Sequence, residues 1–564
     1  MRKILENETV KNLLADLEKR VENNILEPSN FEFLKKLLNK AEDEDEAISI
    51  CKLGTTYNKT GIIFEKKFEK PSDSLKYFVR SDDDCFGEHN GVVHKLIVGD
   101  NYDGLKNLLV EYRNKIDVIY IDPPYGVNSM GEFADTNYEN QISRDNLLSM
   151  LYPRLLLAKQ LLAEDGIIYC SIDDKNHAYV KCLFDDIFGE KNFVESFVFV
   201  KNSGGSLTNF TLSRHEYVLF YAKNKMECLR TNERVFKIEK PGYKEVIALV
   251  DKLKKEGKTI EDAESKLKEF YKSNKDFKGI KNYTNIDETW EIYRTQPITA
   301  PNNNFYNVIH PITKKPVKTP VRGWSWSEET MLENISKGKV IFGVDETKVP
   351  NQKLLLKDVQ YENKRSTFQT DQAEGNKALK SILGEKQVFD NPKPISLLKY
   401  LMQNIKEDAI VLDFFAGSGT TTEAIMELNR ERGTQISTIL IQLDEKITPT
   451  SQTSKNAIEL LEGLGLPKVI PSLTIERLRR IITGKTYKGL KDFKWLEKNK
   501  PYKNDSLEVY KFDEVSIFGT DIFEKIDETL YGQEKFINIK DKIDWVTNKF
   551  EKIARRLEED VTGN

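Results

Sequence analysis

Residues 118–125 read Val-Ile-Tyr-Ile-Asp-Pro-Pro-Tyr, and residues 410–421 read Ile-Val-Leu-Asp-Phe-Phe-Ala-Gly-Ser-Gly-Thr-Thr. In each, a short apolar run enters a turn marked by Asp and by Pro or Gly, residues that disfavour a strand. A strand of a parallel sheet looks like this, because both of its faces are covered. Outward from the first stretch, Lys95–Val98 reads as a strand, Gly99-Asp100 as a turn and Leu105–Leu109 as part of a helix. A helix over about 145–163, stopped by Asp165-Gly166, precedes the apolar strand Ile167–Ile172 and a helix over about 175–188. This alternation predicts an α/β fold with a doubly wound, Rossmann-like parallel sheet and covering helices.

Strand-like stretches recur at Phe193–Val200 and Tyr217–Ala222, before a Lys/Glu-rich helix over about 244–275. From 280 to 390 the chain is aromatic, Asn- and Pro-rich and irregular. The α/β rhythm returns with a helix at about 394–405, the strand 410–412 and a strand Thr438–Leu443. Neither half has enough strands to close a sheet, so 225–389 reads as an insertion into one domain, between core halves at 91–224 and 390–515. The segment 1–90 opens on an amphipathic helical pattern over 1–40 (Leu5, Val10, Leu13, Leu17, Phe31, Leu34, Leu38) and an acidic turn at Glu42–Glu46. A helical segment is expected over 516–564.

The 564 residues exceed what one core supports, and 39% hydrophobic with 31% charged residues is the composition of a globular protein. No apolar run approaches the roughly 18 residues of a membrane span, and the start of the chain lacks the apolar stretch of a signal peptide. A cytoplasmic location and no membrane partner are therefore expected. Five cysteines (Cys51, Cys85, Cys170, Cys182, Cys228) show no CxxC spacing, and the five histidines form no HxH or HExxH, so neither a disulfide framework nor a metal site is expected. Net charge is −4, yet residues 225–389 carry 31 Lys and Arg against 24 Asp and Glu. Placed cations of this kind suit a polyanion such as nucleic acid, although a solvated lysine surface gives the same bias.

The chemistry lies in the two turns. Asp122-Pro123-Pro124-Tyr125 follows a buried strand, where open parallel sheets place their ligand crevice. The prolines stiffen the turn and leave two backbone nitrogens without hydrogen. An Asp carboxylate and a proline carbonyl are two acceptors, which match a planar NH2 group, and a Tyr ring offers a stacking face to a base. The second turn is neither a P-loop nor a GxGxxG fingerprint. Gly417 and Gly419 let backbone approach a ligand closely, and a helix starting near Thr420 offers free N–H groups. A polar side chain ending the next strand, Gln442 or Asp444, is expected to bind hydroxyls.

In this order, with the insertion between them, the two motifs resemble those of permuted (β-type) N6-adenine DNA methyltransferases. The likeness extends further, to the modification (Mod) subunits of type III restriction-modification systems. It is carried by IVGDNYDGLKNL (97–108), VIYIDPPYG (118–126), SRHEYVLFYAKN (213–224), VFDNPKPISLLKYL (388–401), DFFAGSGTT (413–421), ILIQLDE (439–445) and IERLRR (475–480), and covers about 95–515. The resemblance implies that 225–389 is a target-recognition domain and that the cofactor is S-adenosylmethionine. It also implies double-stranded DNA as substrate, a homodimer for which 1–90 is a candidate oligomerisation segment, and a restriction (Res) partner. It assigns Asp122, Pro123, Pro124 and Tyr125 to catalysis on an extruded base. It assigns Asp100, Lys393, Pro394, Asp413, Phe415, Gly417, Ser418, Gly419, Thr420, Gln442 and Asp444 to cofactor binding, with no metal. Gly126 stands where the family commonly has Asn, and Phe414 where it often has Pro. N4-cytosine methylation is the rival on the same fold, against which Asp rather than Ser at 122 weighs, and a DNA-binding subunit with a dead pocket is another. Trp324 and Trp326 read as core rather than DNA contacts, and Lys252, Lys254, Lys255 and Lys258 as a solvated helix face. For Arg477, Arg479 and Arg480, acidic neighbours and phosphates are both open.

Overall fold

The computed structural model describes residues 8–22, 28–41, 43, 46–48, 50, 66, 74–124, 143–201, 206–207, 212–274, 276–371, 373–516 and 522–551. The chain forms two compact units, Met1–Asn232 with Ser366–Asn564, and Glu233–Arg365.

The first unit is built on one mixed sheet. Its strands are β1 (Ser74–Arg80), β2 (Val93–Val98), β3 (Ile116–Ile121), β4 (Leu162–Ile172), β5 (Phe193–Lys201), β6 (His215–Ala222), β7 (Thr367–Thr370), β8 (Ile410–Asp413), β9 (Ser437–Gln442) and β10 (Ser506–Ser516). They lie in the order β1-β10-β2-β9-β8-β3-β4-β6-β5-β7, with a two-residue strand, Phe86–Gly87, beside β10. The six strands from β10 to β4 are parallel. β6 runs antiparallel to both neighbours, and β1 is an antiparallel edge on β10. Strands from after the insertion, β8 and β9, are wedged between β2 and β3 from before it, so the two halves fold as one.

Helices cover both faces: α1 (Asn101–Tyr112), α2 (Ser143–Leu161), α3 (Asp174–Phe188), α4 (Ala373–Leu383), α5 (Ile395–Met402), α6 (Thr420–Arg432), α7 (Gln452–Leu464) and α8 (Ile470–Thr483). One core packs Leu105, Leu148, Leu155 and Phe184 against Ile119, Ile121 and Ile168. Another packs Leu379, Ile382, Leu461 and Leu478 against Leu96, Leu440 and Val509. The doubly wound sheet expected from the alternating pattern is therefore present.

Several element bounds differ from the sequence reading. α2 ends at Leu161 and β4 starts at the next residue, so Asp165-Gly166 lies inside the strand. A Cβ at Gly166 would stand 2.9 Å from the carbonyl oxygens of Ala163 and Ile116, an approach that only glycine permits. The helix expected over 244–275 is two, Tyr243–Lys255 and Ile260–Ser273, because Gly257 takes a left-handed φ of 68° and Thr259 caps the second. The pattern over 1–40 likewise divides into Glu8–Glu22 and Pro28–Leu38, packed through Val10, Leu17, Phe31 and Leu34. The segment 1–90 is not helical throughout, since β1 joins the sheet edge. Nor does the insertion reach 389: Thr367–Thr370 pairs with β5 and α4 enters the core of the first unit.

The second unit is less irregular than its composition suggests. It holds four antiparallel strands in the order 285–286, 292–297, 351–355, 340–341. The helices Tyr243–Lys255 and Ile260–Ser273 pack on these through Val246, Val250, Leu267 and Tyr271. Trp324 is fully buried with Ile298, Val308 and Met331, its N–H donating to the Tyr306 carbonyl, and is core as expected. This unit retains the basic excess, 26 Lys and Arg against 20 Asp and Glu.

α4 fixes the segment leading into α5. A Cβ at Gly375 would lie 2.1 Å from the Pro392 carbonyl oxygen, and the Glu374 carboxylate accepts from Ser396 N at 2.8 Å, capping α5. Gly375→Ala is expected to force these segments apart, at about 1–3 kcal/mol, read as a lower midpoint in thermal and urea denaturation. An unchanged midpoint would show that the contact yields freely.

Candidate functional site at the switch point of the sheet

β3 and β8 are neighbours in parallel register, Val118 opposite Val411 and Ile119 opposite Leu412. From β8 the chain passes through α6 to β9 on one side, and from β3 through α2 to β4 on the other. The strand order reverses at this boundary, and a crevice opens there beyond the carboxyl ends. Both motif turns leave from that edge, on strands about 4.8 Å apart.

Asp122 directly follows β3, with Pro123 buried and Pro124 half-buried after it, while Tyr125 lies outside the described residues. Below them the Tyr120 hydroxyl and Ser171 Oγ are 2.9 Å apart in a buried floor. Burial pushes the Tyr120 hydroxyl well above its ordinary pKa, and the Asp122 charge adds to this. Lys393, one residue before the N-cap Pro394 of α5, brings its Nζ to 2.9 Å from Asp122 Oδ1 and 3.3 Å from Glu216 Oε2. Glu216 was not among the residues expected here. Its signal is a carboxylate at the start of the apolar strand β6, which begins at this edge because β6 runs antiparallel to β4, Tyr217 opposite Ile172.

The glycine turn is braced from three sides. Asp413, buried at the end of β8, accepts from Phe415 N at 3.0 Å and from the Thr421 hydroxyl at 2.5 Å. Gly417 N donates to Gln442 Oε1 at 2.7 Å, and the Thr474 hydroxyl donates to Gly417 O at 2.6 Å. Gly417 and Gly419 have φ of 53° and 80°, the region where an L side chain is strained, and a Cβ at Gly419 would crowd the Thr474 methyl at 3.0 Å. Beneath the turn the fully buried Arg477 donates to Glu423 Oε2 at 2.9 Å, Ser418 Oγ at 2.8 Å, Ser418 O at 3.2 Å and Thr420 Oγ1 at 2.8 Å. Burial raises the Glu423 carboxyl pKa against the opposing pull of Arg477.

Two of the three arginines of α8 find acidic partners within the protein, Arg477 at Glu423 and Arg480 at Glu476, each at 2.7 Å, and Arg480 also donates to Ile382 O. The Arg479 guanidinium lies over the Phe86 ring at 4.3 Å, with its Nε and Nη2 buried and without a hydrogen-bond partner among the described residues. Phe414, where the family often has Pro, is core, and its carbonyl accepts from Asn101 Nδ2 at 2.9 Å, which ties the turn after β2 to the turn after β8. Beside Asn101, Asp100 caps α1 by accepting from Tyr102 N and pairs with the buried Arg154 at 3.2 Å. Gln442, one of the two residues expected to serve hydroxyls, accepts from Gly417 N with its amide oxygen. Asp444 lines a cleft of about 160 Å³ with Val98, Pro471, Ser472, Arg479 and Lys511.

This site sits in a stretch that matches a known family. Residues 116–453 match the family model described as DNA methylase (N6/N4 type), which spans more than half of the chain, and the protein belongs to that family. A model of an uncharacterised conserved protein matches residues 11–118. The chain is 30% identical over 415 residues to the Mod subunit of the Escherichia coli type III restriction-modification enzyme EcoP15I, covering 68% of this chain and 63% of that protein. It is 31% identical over 419 residues to the EcoPI Mod subunit of Escherichia phage P1, covering 66% and 60%. The chain thus spans about three-fifths of the length of these relatives. Among solved structures, PvuII DNA methyltransferase (cytosine-N4-specific) aligns with TM-score 0.32 at 10% identity, covering 67% of this chain and 94% of that one.

Removing Arg477 alone leaves Glu423 buried without its cation, so Arg477→Met is expected to cost about 3–5 kcal/mol, and the double variant Arg477→Met, Glu423→Gln to cost less than the single one. Thermal denaturation of both checks this. Burial also pushes the Asp413 carboxyl from an ordinary 3.8 up to about 7, against the hydrogen bonds of Thr421 and Phe415. An acid whose folded pKa is raised stabilises most below its unfolded pKa and loses that contribution as pH rises through the folded value. Relative to Asp413→Asn, the wild type is therefore expected to lose stability between about pH 4 and pH 7 and then hold a constant difference, as read from melting midpoints across that range.

Proposed function

We propose that this protein is a sequence-specific DNA methyltransferase that transfers a methyl group to adenine N6 in duplex DNA, acting as the Mod subunit of a type III restriction-modification system. The observation that carries the reading is the meeting of the Asp122-Pro-Pro turn and the Gly417-Ser-Gly turn at one switch point.

The chain fits the methyl donor. Phe415, Gly417, Ser418, Gly419 and Thr420 would hold S-adenosylmethionine across a turn whose glycines leave no Cβ in its path, with α6 starting at Thr420. Pro394 and Asp413 act by shaping the neighbouring backbone, as does Asp100 through α1. Asp444 is better placed than Gln442 for ribose hydroxyls, since the Gln442 oxygen is engaged by the turn. When bound, the cofactor supplies a methyl group activated on a sulfonium.

The protein must do the rest. An adenine N6 amine is a weak nucleophile whose lone pair is delocalised into the ring, and the duplex conceals it, so the base is extruded at a cost of a few kcal/mol. Asp122 and the Pro123 carbonyl accept the two amino hydrogens, which returns electron density to nitrogen and aims it, while Tyr125 stacks on the ring. This is catalysis by orientation and electrostatics, with no covalent protein intermediate. The basic excess of Glu233–Arg365 supports a target-recognition role for that unit, through phosphate contacts and base contacts. The Mod names of the relatives support pairing with a Res subunit, and assembly as a homodimer follows from the family resemblance.

Methylation-sensitive sequencing of DNA from cells expressing the wild type and Asp122→Ala tests the reading. A modified-adenine motif present with the wild type and absent with the variant is the expected result. N4-methylcytosine in its place would move the protein to the rival chemistry, and a motif that survives in the variant would remove the proposed site.

A further inference from the structure

We propose that Lys393 is a positioning residue for Asp122 and that Glu216 anchors Lys393. The resulting carboxylate–ammonium–carboxylate triad keeps the acceptor of the Asp122-Pro-Pro turn ionised and in one orientation. The inference rests on the adenine reading above and adds to it two residues and a reason for their charge.

Three separate parts of the chain meet in the triad. Asp122 directly follows β3, Glu216 lies near the start of β6, and Lys393 precedes α5. Each is held by backbone rather than by a loop free to move. β6 is paired on both sides, His215 opposite Val200 and Tyr217 opposite Ile172. The Lys393 segment is clamped by the close approach of Gly375 and by the Glu374 cap on α5. Lys393 has only a tenth of its side chain exposed, so its long stem is confined by its surroundings.

The two carboxylates bracket one ammonium at 2.9 and 3.3 Å, close enough that each feels the charge of the other. Among the described residues, the titratable groups that feel the Asp122 charge include Tyr120 on β3, Cys170 on β4 and Asp413 at the end of β8. Losing Lys393 would remove the ammonium that lies between the Asp122 and Glu216 carboxylates, and like charges that close favour uptake of a proton by one of the two. A protonated Asp122 offers a hydrogen where the reaction needs an acceptor, since both amino hydrogens of the base require a lone pair. Lys393 therefore sets the protonation and direction of Asp122 without touching the reacting nitrogen, and Glu216 keeps the ammonium from turning away.

The test measures kcat against pH, with binding of S-adenosylmethionine followed separately by calorimetry. Lys393→Met is expected to lower kcat about a hundredfold at neutral pH. Its acid limb should move to higher pH, so that activity recovers in alkali, with cofactor affinity within about twofold of the wild type. Lys393→Arg, which keeps the charge, should retain the wild-type acid limb. Adding Glu216→Gln to Lys393→Met removes the competing charge and should move the limb back toward the wild type, and it gives a second soluble variant if the single one folds poorly. A Lys393→Met enzyme with the wild-type rate and profile would overturn the proposal. So would a loss confined to cofactor affinity, which would make Lys393 a cofactor ligand. Either result leaves the adenine reading standing, because the wild type still methylates, whereas a wild type that never methylates adenine removes both.

Discussion

The site exists because of a short stretch of parallel pairing. Val411 and Leu412 lie beside Val118 and Ile119, joining segments that an entire second unit separates along the chain. Each of these strands is apolar and buried, so the contact is secured by the cores on both faces of the sheet. The closure of so long a loop costs little more entropy than that of a shorter one, since the cost grows only with the logarithm of length. A whole folded unit can thus be inserted into the chain while the two turns stay in register.

Once the turns are adjacent, buried charge does the remaining positioning. Arg477 reaches from α8 under the glycine turn, satisfies Ser418 and Thr420 and is itself balanced by Glu423. An ion pair of this kind contributes little net stability, because desolvation offsets the attraction, but removing one partner strands the other. Its role is to hold one conformation. Lys393 does the same for the opposite turn. Both turns of the site are therefore preorganised from behind by a cation on another element, which leaves their outward faces for ligands.

The element pattern was legible where a segment is apolar along its whole length. β3, β8, β9 and the apolar half of β4, Ile167–Ile172, are legible because burial on both faces leaves a continuous apolar run. The reading failed where a boundary depends on packing. Asp165-Gly166 has the composition of a stop but lies within β4, because Gly166 fits against the backbone of Ile116. The stretch 366–389 reads as part of an irregular insertion, yet pairing with β5 draws it into the first unit. β1 was hidden in the same way, since an edge strand needs only one apolar face.

By itself the sequence determined the strands and helices that flank the two turns, the turns that carry chemistry and the family to which they belong, because these depend on local residue types at short spacing. Tertiary structure alone decided that the turns share an edge, that Arg477 braces the glycine turn while Gln442 is engaged by it, and that Glu216 joins Lys393 beside Asp122. Those outcomes turn on which charged side chains find one another once water is excluded. Partners that lie on distant segments of the chain cannot be matched until the sheet has set their separation in space.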